Sequence, residues 1–468
     1  MQHLSKWITV FGVTALLGWS PTVLAQETTP ATPTTEIEAN ANAVAAYNQG
    51  VANYQAGDLE GAVASFSAAI ASAPDFTDAY VYRANVYVQQ GELDAALMDL
   101  NRALELDPTN GNAYFLRGAV YYRQGDEEQA QTDFNSALEY DADSLLALLY
   151  RGFIDAQAGR TEVAIEDFTT VIEQDPNLVD AYVLRGFAYE KIGNNEAAAA
   201  DFSSAIEIDS DRAVAYMGRG VAYYQMDLPE AALEDLNTAI SIDPELARAY
   251  LNRSHVYASA GRINRAIDDL NQAIQLNPDL AEAYLNRGIL LSEQGQTEAA
   301  QQDFARALQL QPDSAETYKL KGDALMAAGD EFGAIADYTE AIFIDVEYAE
   351  AYKARGDARL AINDLPGAIA DYSEAITLKP DYMEAYAARG AAYARSGQAT
   401  QANADLTQVI SRDPRTPMPD VYYNRGLARI GLGDLVGARQ DLERAAELYL
   451  QTGEPEGYRR TLSQLNQL

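Results

Sequence analysis

Carboxylates are the commonest groups in this chain that could do chemistry. Its 468 residues hold 70 Asp and Glu against 33 Lys and Arg, with two His and no Cys. Paired carboxylates can serve as general acid and base, but a nucleophilic triad needs a base held by an orienting group. Apart from His3 near the start, that base could only be His255, which sits among Asn252, Arg253 and Ser254. It reads as a lone polar surface histidine rather than a catalytic base. A zinc site needs ligands this chain lacks, so no metal is expected. Asp141 with Asp143 and Asp209 with Asp211 are acidic pairs, but they lack the Gly and the distal Glu of a calcium loop. No Gly-rich phosphate loop is present, and no cofactor is expected.

The charges that recur on a fixed register are basic–acidic couples. Arg83, Arg117, Arg151, Arg185, Arg219, Arg253, Arg287, Lys321, Arg355, Arg389 and Arg425 each lie eight residues before a turn position. Asp99, Asp133, Asp167, Asp201, Asp235, Asp269, Asp303, Asp337, Asp371, Asp405 and Asp441 each lie eight residues after one. In an antiparallel helical hairpin, residues equidistant from the turn face each other. The first stretch has Gln49 and Ser65 in these places, and the joint loss argues for pairing. A ladder of charges could bind a ligand. Half-buried ion pairs that fix helix register account for it better, because breaking a buried pair costs about 3–5 kcal/mol. Arg117 with Asp133, Arg185 with Asp201 and Arg287 with Asp303 are therefore read as structural pairs. The spacing leaves pairing with a neighbouring repeat open.

The elements that position these couples follow from a period of 34 residues. The turn positions are Gly57, Gly91, Gly125, Gly159, Gly193, Asp227, Gly261, Gly295, Gly329, Asn363, Gly397 and Gly433. Asp and Asn are the non-Gly residues that best tolerate a left-handed backbone, so this phase ends a first helix. A second stop falls half a period later, at Pro74, Pro108, Pro176, Pro244, Pro278, Pro312, Pro380 and Pro414. Between the stops, apolar residues sit three and four apart, as in Ala96, Leu97, Leu100, Ala103 and Leu104. An alanine recurs from Ala62 to Ala438 where helices must approach closely. No stretch alternates with period two, so no sheet is expected.

Residues 281–314 (AEAYLNRGILLSEQGQTEAAQQDFARALQLQPDS) match a Tyr, Gly, Gly, Ala, Ala, Pro pattern nearly throughout. This pattern resembles the tetratricopeptide repeat family, and the resemblance covers residues 43–452. It implies an all-α, right-handed α-solenoid of twelve helix–turn–helix repeats, with an inner groove lined by the first helices that binds peptides or partner proteins. The Arg and Asp phases depart from the commonest form of the family, where larger apolar side chains are usual. Some family members carry a catalytic domain beside the repeats, and here the repeats leave no room for one.

If the first helices line the groove, the third to sixth repeats present Phe115, Tyr122, Leu149, Phe153, Phe187, Met217, Val221 and Tyr224. The ninth and tenth present Lys319, Asp323, Lys353 and Asp357. An apolar lining followed by a charged one reads as a recognition surface for an extended or helical peptide. The competing account of Phe115 and Leu149 is packing between first helices. The Lys and Asn arrangement by which some family members clamp a C-terminal carboxylate is not present, since Asp323 and Asp357 stand where Asn is needed.

Residues 1–25 read as a secretory signal: basic Lys6, an apolar run from Trp7 to Trp19, the break at Pro21, then Val23-Leu24-Ala25. The apolar run is short for a membrane span, which takes about 20 residues. The alternative is an uncleaved N-terminal anchor. Residues 26–42, rich in Thr, Pro and Ala, read as a disordered linker. Two extra residues fall near 412–419, and residues 453–468 are expected to cap the array with Tyr458, Leu462, Leu465 and Leu468 on one face. The formal charge of −37 opposes binding to nucleic acid and anionic lipid, and favours basic or neutral partners.

Together these features predict a non-catalytic interaction scaffold of the bacterial cell envelope, periplasmic or secreted, with a thylakoid lumen as the site in a photosynthetic host. It would hold protein or peptide partners for assembly, chaperoning or trafficking. The alternatives are an enzyme using groove carboxylates and an RNA-binding helical repeat, the latter opposed by charge and export.

Overall fold

A computed structural model describes residues 41–412 and 418–468. Residues 1–25, read above as an export signal, most of the stretch read as linker and the centre of the insertion lie outside the described residues. Among the described residues there are 25 helices and no strand. They form eleven helix–turn–helix hairpins, two further helices of the same series, Ala247–Ser259 and Ile263–Leu276, and one closing helix. The first helix opens at Ala41, two residues inside the stretch read as linker.

Local sequence sets the hairpins. Gly91 and its counterparts close the first helices with positive φ, and Asp227 (φ 60°) and Asn363 (φ 63°) adopt the same left-handed turn. The following helix is capped by a side chain in many repeats: Asp58 accepts from the Gly61 amide at 2.9 Å, and Asp330 from the Gly333 amide at 2.9 Å. Second helices stop on an extended residue such as Asp107, one before Pro108.

Packing follows the same register. The alanine phase is sealed from solvent throughout, from Ala62 to Ala438. A large side chain nine residues after each turn packs over the residue seven before it. In the fifth repeat Phe202 covers Gly186, where an added Cβ would sit 2.8 Å from the ring. The second repeat has Ala84 in that place, and there the cover is Leu100.

The chain divides after Arg262 into two compact units. The first holds six hairpins and the helix Ala247–Ser259, around one core that runs from Val81 to Val256, with a smaller one at the first repeat. The second begins with Ile263–Leu276 and ends with a long helix, Leu435–Thr452, followed by the closing helix Pro455–Leu465. The closing helix differs from expectation in one position. Tyr458, Leu465 and Leu468 pack on the last core, but Leu462 is 37% exposed and Thr461 takes the buried place. The helix is rotated so that Gly457 meets the ring of Tyr449, where a Cβ would lie at 2.4 Å.

Candidate binding face

The basic–acidic couples lie inside the hairpins. Arg117 donates from Nε and Nη2 to Asp133 at 2.7 and 2.8 Å. Arg185 meets Asp201 at 2.8 and 2.8 Å, and Arg287 meets Asp303 at 2.7 and 2.6 Å. The remaining Nη1 reaches back to the second helix of the preceding repeat: Arg117 to Asn101 at 2.8 Å, Arg185 to Thr169 at 3.0 Å and Arg287 to Asn271 at 2.7 Å. Both partners left open by the spacing are thus engaged at once. The guanidinium also lies between two rings, as Arg185 does between Tyr182 and Tyr189 at 6.0 and 5.8 Å. The Asp hydrogen bonds hold these arginines above their ordinary pKa. The acids are buried, and those facing an arginine accept through both oxygens; at Lys321 the lysine reaches only Oδ1 of Asp337 and Oδ2 stays buried without a partner, so this ladder is closed to a ligand.

The apolar phases expected to line an open groove are largely covered. Phe115, Leu149, Phe153, Phe187, Met217 and Val221 are buried, Phe153 to 1% and Phe187 to 7% exposure. The cause is the offset between neighbouring first helices. A residue three before one turn lies over residues six and nine before the next. Tyr122 meets Phe153 edge-on at 6.0 Å and Tyr150 at 6.4 Å. Asn85 donates to the Tyr54 hydroxyl at 3.4 Å, and Tyr224 shares a cleft with Asn252 and His255. Of the eight, only Tyr122 and Tyr224 stay half-exposed.

The charged phase of the ninth and tenth repeats has an internal partner. Lys319 donates to Asp323 at 2.6 Å, and Lys353 to Asp357 at 2.7 Å. Each aspartate also accepts from a buried tyrosine hydroxyl, Tyr338 or Tyr372, both at 2.9 Å. These tyrosines replace the phenylalanine of other repeats, so the aspartate satisfies a hydroxyl the core would otherwise strand. All four side chains remain part-exposed on the first-helix face. Around them, Glu316, Glu350 and Asp323 converge on Tyr348, whose hydroxyl is pushed up by burial and then by those negative charges. Lys379 pairs with Glu350 at 3.0 Å.

His255 is buried at 8% exposure, not a surface residue, and burial pulls its pKa down to about 4. Neighbouring first helices cover this phase, as they cover Phe153. The acidic pair at 209–211 forms a local turn, with the Asp211 amide donating to Asp209 at 3.1 Å. Among the described residues no three His, Cys, Asp or Glu converge as a metal site, and no helix is long and apolar enough to cross a membrane.

One residue on this face escaped the sequence reading. Glu190 lies three before the fifth turn, the phase of Tyr54, Tyr122 and Tyr224. Protein surrounds it on nearly every side, although its stem keeps some exposed surface. Its Oε2 is shut off from solvent and has no hydrogen-bond partner. Burial raises its pKa to about 8. A charged residue at a phase otherwise filled by apolar or aromatic side chains and one serine, Ser292, was the available signal.

Tetratricopeptide repeat profiles match residues 213–246 and 281–314, further profiles of that description match 53–98, 115–213 and 387–451, and a TPR repeat profile matches 84–125, 254–295 and 356–397. The chain belongs to the tetratricopeptide repeat family. Proteins of this fold generally mediate protein–protein interaction, and they are generally non-catalytic. Comparison with curated proteins gives no match. Among solved structures it is similar to a tetratricopeptide repeat protein from Parabacteroides merdae, at 24% identity over 53% of this chain and 98% of that one, with a TM-score of 0.47. It is also similar to Pseudomonas aeruginosa pilF (22%, 44% and 94%, TM-score 0.41) and to yeast Tom70 (16%, 90% and 95%, TM-score 0.38).

Proposed function

We propose that this protein is a non-catalytic scaffold of the bacterial cell envelope, binding basic protein segments along its first-helix face for assembly, chaperoning or trafficking. The observation that carries the reading is the convergence of Glu316, Asp323 and Glu350 around Tyr348, with Lys319 and Lys353 held by Asp323 and Asp357. These acids are part-exposed on the first-helix face, in a chain of net charge −37. The envelope location rests on residues 1–25, whose charge and apolar pattern is that of an export signal. Tyr122 and Tyr224 supply the aromatic contact surface in the first unit, and the buried phenylalanines hold the helices that carry them.

The test is retention of envelope proteins by immobilised native protein and by the Glu316→Gln/Glu350→Gln double variant. The expected result is a defined set that elutes with rising salt and is depleted in the variant. An identical set on both proteins, eluting without salt dependence, removes these acids as the binding surface.

A further inference from the structure

We propose that Glu190 is the subsite that receives a lysine or arginine side chain of a peptide bound along the first-helix face. The inference deepens the scaffold reading above and rests on it. Three other repeats show what a side chain at this phase touches. Tyr54 is contacted by Asn85 and Gln89 of the second repeat, Tyr122 by Tyr150 and Phe153 of the fourth, and Tyr224 borders Asn252 and His255 of the seventh. In that register the neighbours of Glu190 are Gly218, Val221 and Gln225 of the sixth repeat. Gly218 has no side chain, buried Val221 has no polar atom, and Gln225 is turned to solvent. On the other side Lys191 points back to the Ala156 carbonyl at 2.5 Å. The carboxyl is therefore left with Oε2 unsatisfied.

An unsatisfied buried acceptor costs free energy in the free protein and is unusual in a native fold. That cost is recovered when a donor arrives from outside. The chemistry that fits is a cation on an apolar stem. Oε2 is enclosed in the free protein, so the Glu190 carboxyl turns outward past its exposed stem to meet the charged end of a lysine or arginine, whose methylenes lie along Val221. Nothing nearby offers an internal substitute, since burial alone perturbs Glu190 and no charged neighbour contributes. The stretch 26–40 carries no Lys or Arg, so the cation does not come from that segment. A metal ion is a poor occupant, because no second and third ligand converge here among the described residues.

The experiment uses purified full-length protein and dye-labelled pools of acetylated, amidated heptapeptides. The central position is fixed as Lys, Arg, norleucine or Glu, and the flanks are mixtures of Ala, Leu and Ser. Binding is read by fluorescence polarisation for native protein, Glu190→Gln, and Glu105→Gln on an exposed second-helix position. The native protein and Glu105→Gln are expected to prefer Lys and Arg pools over norleucine by about tenfold, the scale of one charge-assisted hydrogen bond. In Glu190→Gln that preference shrinks to about twofold while norleucine binding is kept. Glu190→Gln melting at or above the native temperature shows that the loss is local. An unchanged preference in Glu190→Gln, or a native protein that binds norleucine as well as lysine, overturns the subsite and leaves the scaffold reading standing. Absence of binding to every pool overturns both.

Discussion

Replacing Asp201 with alanine removes both acceptors of the Arg185 fork. Asp201 is 6% exposed, and the Arg185 side chain retains 15%. After the change the guanidinium keeps one hydrogen bond, to Thr169 at 3.0 Å, and its place between Tyr182 and Tyr189. Losing one partner of a buried pair costs about 3–5 kcal/mol, and the partial exposure of Arg185 lowers the expectation to about 2–3 kcal/mol. The reverse change, Arg185→Leu, strands the more deeply buried partner and belongs at about 3–5 kcal/mol. The double variant Arg185→Leu/Asp201→Leu should recover most of the loss, because a well-packed apolar pair replaces an ion pair at little net cost. A single unfolding midpoint is a blunt assay for a repeat array, so the readout is native-state hydrogen exchange. Protection should fall in the helices Thr161–Gln174, Val179–Lys191 and Asn195–Ile208, and hold in distant repeats. The exposed pair Arg102 with Glu105 is the internal control, and Glu105→Ala should leave protection essentially unchanged. If Asp201→Ala costs no more than that control, or the double-variant cycle shows no coupling, the pairs do not fix register and the argument fails.

Four further outcomes follow from particular contacts. Gly186→Ala drives a Cβ to 2.8 Å from Phe202, and should lower stability by about 1–2 kcal/mol after its gain in helix propensity, with a smaller penalty in a Phe202→Leu background, as thermal melts would show. Tyr338→Phe removes one donor from Asp323 and should cost about 1 kcal/mol; adding Asp323→Ile reproduces the Ile289 and Phe304 of the eighth repeat and should restore it, read by denaturant titration. His255 has a folded pKa of about 4 against an ordinary 6.5, so the unfolded chain takes its proton first as pH falls. Its contribution erodes from about pH 6.5 downward and levels off below about pH 4, and His255→Asn should flatten the stability profile between pH 7 and 5 by about 2 kcal/mol. Glu190 has the opposite linkage: with a folded pKa of about 8 it binds its proton more tightly than the unfolded chain, so stability falls as pH rises from about 4.5 to 8. Glu190→Gln should therefore raise the melting temperature at pH 7 and leave it nearly unchanged at pH 4.5.

The turns and the close-packed positions were legible because each depends on one local requirement. A left-handed turn accepts Gly, Asp or Asn, and a tight crossing accepts Ala, so residue type alone gave Asp227, Asn363 and the line from Ala62 to Ala438. Exposure on the first-helix face was not legible. Spacing says that Phe153 and Phe187 share a face with Tyr122 and Tyr224, but each is covered or left open by a neighbour 28 or 31 residues away. His255 was misplaced for the same reason. The Lys319 and Asp323 pair looked like a ligand contact because its partner Tyr338 lies 15 residues on, in the second helix. A reading that compared Tyr338 and Tyr372 with Phe304 would have found it, since the aspartates occur only where the ring carries a hydroxyl.

The back-reaching arm of each arginine has a consequence for how such an array can lengthen. One guanidinium joins its own second helix to the preceding one, so a 34-residue unit with this arginine carries a claw for its predecessor and an anchor for its successor; at the ninth unit both halves of the joint change together, Lys321 meeting Asp337 and Ala305 standing where the acceptor would be. Whole units can be duplicated or deleted in register without orphaning a joint. The first unit, with no predecessor to grip, has Gln49 in the arginine's place and an Asn53 to Ser65 contact at 3.1 Å. The last joint tolerates the two-residue insertion as well: Arg425 still touches Thr407, 18 residues back instead of 16, at 3.4 Å. The joint constrains the helices and leaves the connecting loop free, which lets copy number vary while the face that meets other molecules is rewritten unit by unit.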